Sequence, residues 1–199
     1  LGRNQEINQK IRDERREQIV AGALLLFSTQ GLAATKISDI ASAAGISQGL
    51  VYHYFRSKED IFIELIRGAF ERLNNSCEML SCMPLSPREK IGIAIKGLLQ
   101  DLEQNQDNAR YHLLLAQAMV SEAVPEEAKD IIRRGIAVSQ EIIAGILRDG
   151  QEDGSVREGN VEDLSLVFWT SINGLAILKA VDRDNFKAPP AEILMNMFL

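Results

Sequence analysis

"TKISDIASAAGISQGLVYHYFRSKED", residues 35–60, holds two short apolar-periodic segments on either side of an Ala-Gly-Ile-Ser turn. In the first, Ile37, Ile40, Ala41 and Ala44 recur at three and four, which places them on one face of a helix. Thr35 stands where a cap belongs and Gly45 where the helix must stop. Ser47 caps a second helix running to about Tyr54. On a wheel of about 100° per residue, Val51 and Phe55 of that helix fall about 40° apart. Against the first face they close a small core. Two short helices joined in this way have the form of a helix-turn-helix.

The outward arc of the second helix is expected to hold Gly49, Leu50, His53 and Tyr54, with Gln48 at its entry and Tyr52 at the core edge. That inventory suits a DNA major groove. Gln and His bond base edges, leucine meets a thymine methyl, and glycine lets the backbone come close. Thr35, Lys36, Tyr52, Tyr54 and Lys58 suit phosphates instead. Lys58 also falls in the first turn of the next helix, whose free N–H groups attract an anion. A basic arm of Arg3, Arg12, Arg15 and Arg16 adds sequence-independent attraction.

Around this centre the periodicity predicts helix nearly everywhere, an all-α chain. From Lys10 to Gln30, Ile19, Ala23, Leu26 and Phe27 make one stripe, halted by Gly31. Ser57 opens a long helix to about Cys82, with Asp60 in its third position. Further helices are predicted from Pro87 to Gln104, over residues 109–120, and from Pro125 to Asp149. Residues 161–181 are apolar nearly all round, as in a helix sandwiched within a core or between subunits. A last helix follows Pro189 and Pro190.

The block Thr35, Ile40-Ala41, Ala44-Gly45, Ser47, Gly49, Tyr52, Tyr54-Phe55 and Ser57-Lys58 resembles the N-terminal DNA-binding domain of the TetR/AcrR family of bacterial transcriptional regulators, over residues 18 to 65. The remainder is similar to that family in length and helical content only. The resemblance implies a homodimer, a palindromic double-stranded DNA operator and induction by a small molecule. It carries operator contacts to Thr35 and Lys36, to the recognition helix from Ser47 and Gln48 through Tyr54, and to Lys58. The order His53-Tyr54 departs from the aromatic-then-His common among relatives, so base and phosphate roles of these two stay open.

Composition agrees with a two-part protein. The 199 residues are 46% apolar and 25% charged, ordinary values for a globular chain. The net charge of −6 is unevenly spread: residues 1–56 carry seven Lys/Arg against five Asp/Glu, and the remainder 15 against 23. Residues 1–56 are expected to form the DNA-binding domain and 57–199 a ligand-binding and dimerisation body. No apolar run is expected to span a bilayer, and the polar start lacks a signal segment, which points to the cytoplasm. Cys77 and Cys82, five apart on one helix, are too far separated for a bridge.

For the effector, apolar walls with a few polar groups are expected from Leu102, Tyr111, His112, Leu115, Met119, Trp169 and Asn173. Packing alone equally accounts for His112, and Trp169 fits core, interface or pocket wall. Such a lining favours a neutral or cationic hydrophobic molecule. The two-fold interface is expected over Val161–Val181 and Pro190–Leu199, with Ala176 and Leu178 facing the partner. An effector-independent helical adaptor is the rival class. An enzyme is not predicted: two histidines, no Cys/His cluster with zinc spacing and no Gly-rich phosphate loop imply no catalytic triad, metal or cofactor.

Overall fold

The computed structural model describes residues 2–182 and 185–199, with side chains from Glu6 onward except Asn8. Arg3, counted in the basic arm, lies outside the described side chains. Among the described residues the chain is all-α, in nine helices: α1 (Gly2–Ala34), α2 (Ile37–Ala43), α3 (Gln48–Tyr54), α4 (Lys58–Cys82), α5 (Pro87–Gln104), α6 (Gln106–Val120), α7 (Glu126–Glu152), α8 (Val161–Val181) and α9 (Ala191–Met195).

Caps set most of these boundaries. Ser47 accepts from the Leu50 N–H at 3.3 Å, and Ser57 from the Asp60 N–H at 3.1 Å. Ser86 and Glu89 bond reciprocally across the start of α5, and Asn160 caps α8 through the Asp163 N–H at 2.8 Å. Asn105 ends α5 and caps α6 in a single residue. Gly45 turns at φ 68° between α2 and α3, a left-handed conformation that a side chain would resist. Gly31 breaks α1 in the same way at φ 80°. At its other end α1 begins earlier than the apolar stripe predicts, because Gln, Glu, Lys and Arg hold a helix without a core to face.

Thr35 does not cap α2. Lys36 takes that place, its N–H donating to the Asp39 carboxylate at 3.3 Å.

One apolar core joins α1, α2 and α3 through Ile19, Phe27, Ile40 and Val51. It continues along α4 (Phe62, Ile66, Phe70) to Leu114 of α6 and Ile132 of α7. A second lies farther along the body, around Ile95, Leu102, Leu147, Phe168, Ile172 and Phe198. Where α4 crosses α7, Gly135 lets Phe70 close in: a β-carbon there would stand 2.3 Å from the ring.

Helix α8 corrects one expectation, for it is long and apolar enough by length and composition to cross a membrane. Here its inner face packs on α6 and α7. Ser165 donates to the Gln140 carbonyl at 2.8 Å, and the Trp169 indole N–H to the Ser139 carbonyl at 3.3 Å. Both Cys77, buried, and Cys82, exposed, are free thiols on α4.

Candidate nucleic-acid interface and effector cleft

Helix α3 turns Val51 and Phe55 inward, leaving Gln48, Gly49, Tyr52 and His53 exposed and Leu50 half-buried. Tyr52 is 52% exposed. Tyr54 is half-buried against the core, its ring edge-on to His53 at 5.5 Å. It therefore does not sit on the outward arc as expected. The wheel contains the reason: Tyr52 and Tyr54 flank the Val51–Phe55 midline at about 80° on either side, and the fold covers only the Tyr54 side. Gly49 is notable for what surrounds it. A β-carbon there would meet nothing within 4 Å, so packing within the protein does not require glycine.

Two expected phosphate contacts are corrected. Thr35 is 1% exposed, and its hydroxyl donates to the Gly31 carbonyl at 2.7 Å while accepting from Gln30. The Lys58 ammonium donates to three carbonyls, Leu32 at 2.7 Å, Ala33 at 2.9 Å and Thr35 at 2.8 Å. An ammonium has three donors, and all are engaged. Lys58 thus closes the C-terminal end of α1, where free carbonyls and the helix dipole favour a cation. Lys36 and Arg56 remain exposed beside α3. Arg56 was missed by sequence reasoning, although its position directly after Phe55 was the available signal.

Between α1 and the helices α4, α5 and α6 lies a cleft of about 950 Å³. Of the residues expected to line a pocket, Tyr111, His112 and Leu115 are in its wall. Leu102 and Trp169 are buried in the second core, Met119 is 43% exposed on the surface, and Asn173 is exposed on α8 rather than a buried amide. Sequence periodicity separates buried from exposed positions, but a core wall and a pocket wall carry the same apolar pattern. Asn173 still reaches the cleft indirectly, its amide oxygen lying 2.7 Å from the His112 Nδ1. Burial pushes the His112 pKa down, opposed by that hydrogen bond and by Asp101.

Missed altogether was the contribution of α1. Val20, Ala21 and Leu24 supply part of the apolar floor, with Leu65, Phe70 and Leu73 of α4. Arg16 and Glu64 form a two-pronged ion pair across the cleft. The Arg16 guanidinium also lies 4.5 Å from the centre of the Phe55 ring, at the end of α3.

Among known proteins, residues 19–65 match the family described as bacterial regulatory proteins, tetR family. The HTH-type transcriptional repressor KstR2 of Rhodococcus jostii (strain RHA1) is 29% identical over 163 residues, covering 82% of this chain and 78% of that protein. The transcriptional regulator FadR of Bacillus subtilis, solved with stearoyl-CoA, superposes with a TM-score of 0.72 at 21% identity, over 91% of this chain and 96% of that one. A regulator from Saccharomonospora viridis, solved with choline, gives 0.72 at 20% identity over 93% of each chain.

Proposed function

Because the chain belongs to the tetR family of bacterial regulatory proteins, transcriptional regulators rather than enzymes, we propose that it is a cytoplasmic homodimeric repressor, released from a palindromic operator by a small hydrophobic ligand. Residues 1–56 would be the reading head and 57–199 the sensing and dimerising body. The observation that carries this is the face of α3: Gln48, Tyr52 and His53 project into solvent around a Gly49 that nothing in the protein requires. Glycine weakens a helix, so its presence where space is open favours a backbone that something outside must approach. Gln48 and His53 take the base edges and Leu50 a thymine methyl. Ser47, Tyr52, Lys36 and Arg56 take phosphates, the last two replacing Thr35 and Lys58 in that role.

Two recognition helices enter successive major grooves only when about 34–36 Å apart. The outer face of α8 supports the required pairing, with Leu166, Thr170, Gly174, Leu178 and Val181 in line and Leu178 58% exposed. Neither Ala176 nor the last helix belongs to that face. Ala176, Leu194 and Phe198 are buried in the second core, and α9 packs on α5. Helix α4 runs about 37 Å from the recognition helix into the body, so a change of body packing moves the heads. Ligand and operator then oppose each other, with a coupling of about 1–3 kcal/mol as the usual scale. The fold does not choose the ligand, since neighbours of equal similarity were solved with an acyl-CoA and with choline.

Sequencing the host DNA retained by the full-length protein tests the reading. Recovery of a shared inverted repeat, bound with a steep inverse dependence on salt, is expected. Retention of proteins but no common DNA would favour the adaptor.

A further inference from the structure

The cleft has a charge pattern that narrows its occupant. Asp13, Glu17, Glu64, Glu71, Asp101 and Asp107 line it, against three arginines. Each arginine is engaged: Arg16 with Glu64, Arg67 with Glu127 at 3.2 Å, and Arg72 with the Tyr111 hydroxyl at 3.0 Å. Glu17 and Glu71 have no hydrogen bond or ion pair among the described residues. An anion entering here would meet surplus negative charge, six carboxylates against three guanidiniums. A cation would meet open carboxylates above an apolar floor.

The geometry points to an amphiphilic cation, an amine or quaternary ammonium with an alkyl or aryl tail, whose charged end competes with Arg16 for Glu64. The tail lies along Val20, Leu24, Phe70 and Leu115. This inference rests on the effector-released repressor proposed above and adds the chemical class and the point of action. Arg16 is a positioning residue. It stands on α1, is held by Glu64 of α4, and covers the ring of Phe55 at the end of the recognition helix. Arg16 and Glu64 side chains are 41% and 32% exposed, and ion pairs so exposed contribute little net stability. A ligand cation can therefore displace Arg16 without opening a core. Once displaced, Arg16 no longer links the Phe55 ring to Glu64, and the seating of the recognition helix against α4 is left to the shared apolar core alone.

Calorimetric titration of the full-length protein without DNA tests this, with decyltrimethylammonium below its micelle concentration as the probe. Decanol, decyl sulfate and decanoyl-coenzyme A serve as chain-matched controls. The cation is expected to bind at least about tenfold tighter than either anion. Glu64→Gln and Glu71→Gln should each weaken it. Arg16→Ala should tighten it, by removing the internal competitor, while weakening DNA binding. Loss of positive charge alone also favours a cation and weakens DNA binding, so Arg16→Lys, which keeps the charge but not the two-pronged pair, is the discriminating variant: it should likewise tighten the cation. Circular dichroism shows whether each variant is folded, and Glu71→Gln leaves the Arg16 pair intact if Glu64→Gln is not. Equal or tighter binding of decyl sulfate or decanoyl-coenzyme A, or an unchanged cation affinity in Arg16→Ala, would overturn the proposal. A cation that binds the cleft yet leaves the captured DNA bound would overturn the latch. The repressor reading itself fails by a different result, the absence of any captured DNA.

Discussion

The face of α3 and the cleft behind it are both polar, but the face leaves its donors open while the cleft bonds its arginines and its histidine. On α3, Gln48, Tyr52 and His53 stand exposed, and Gly49 leaves open space. In the cleft each arginine is already bonded, and His112 is tied to Asn173. A surface that reads a rigid partner keeps its donors and acceptors available. A site that must signal is different, because its occupant has to exchange with contacts already made. On the proposed reading that contrast separates recognition from control, and several substitutions can break it or sharpen it.

The largest effect is expected from Leu178→Arg on the outer face of α8. In the proposed two-fold interface an arginine at this position is buried beside its own copy, so the protein should become monomeric by sedimentation. Operator affinity should fall by at least about 100-fold as the second half-site contact is lost. A dimer that survives would move the interface off α8.

Lys58→Met comes next and tests whether this lysine belongs to the reading surface or to the scaffold. Removing an ammonium bonded to three carbonyls should cost about 2 kcal/mol of stability, read as a lowered urea midpoint. The salt dependence of DNA binding should stay as in the wild type. A flattened salt slope with unchanged stability would return Lys58 to the phosphate.

Smaller again is Gly49→Ala. The added methyl group meets nothing in the protein and suits a helix, so stability should hold or rise slightly. Operator affinity should nonetheless fall by about tenfold, or ~1.4 kcal/mol. Unchanged binding would mean that the groove does not approach this backbone.

The smallest effect concerns pH. Burial holds the His112 pKa below its ordinary value of about 6.5, so the unfolded chain takes up a proton more readily than the folded one. The stability this depressed pKa confers is present above about pH 6.5 and lost as pH falls through the lower folded-state value. Urea midpoints at pH 7 and pH 5 should show a decline that His112→Gln diminishes.

Much of the head was legible because its signals are local. Ser47, Gly45 and the Ile37–Ile40–Ala44 spacing each act within one or two turns, and the helices follow from them. Lys58 was misread because its partners are carbonyls at the end of α1, more than twenty residues away, which spacing does not encode, whereas Thr35 turns to the local carbonyl of Gly31, one turn back, instead of capping α2. The cleft was the least legible part. It gathers residues from Asp13 to Leu115 across four helices, and Val20, Ala21 and Leu24 of its α1 wall carry the same apolar pattern as a core face. Trp169 and Leu102 share the apolar spacing of pocket residues, yet they fill the second core.

Selection from a random pool of DNA duplexes by the full-length protein, run beside Gln48→Ala and His53→Ala, addresses the reading surface most directly. An inverted repeat should be enriched, its half-sites one helical turn or a multiple of it apart, and each variant should relax preference at defined positions within both half-sites by about 1–3 kcal/mol. The same sequence enriched with equal stringency by all three proteins, or no sequence enriched by any, would contradict recognition through α3.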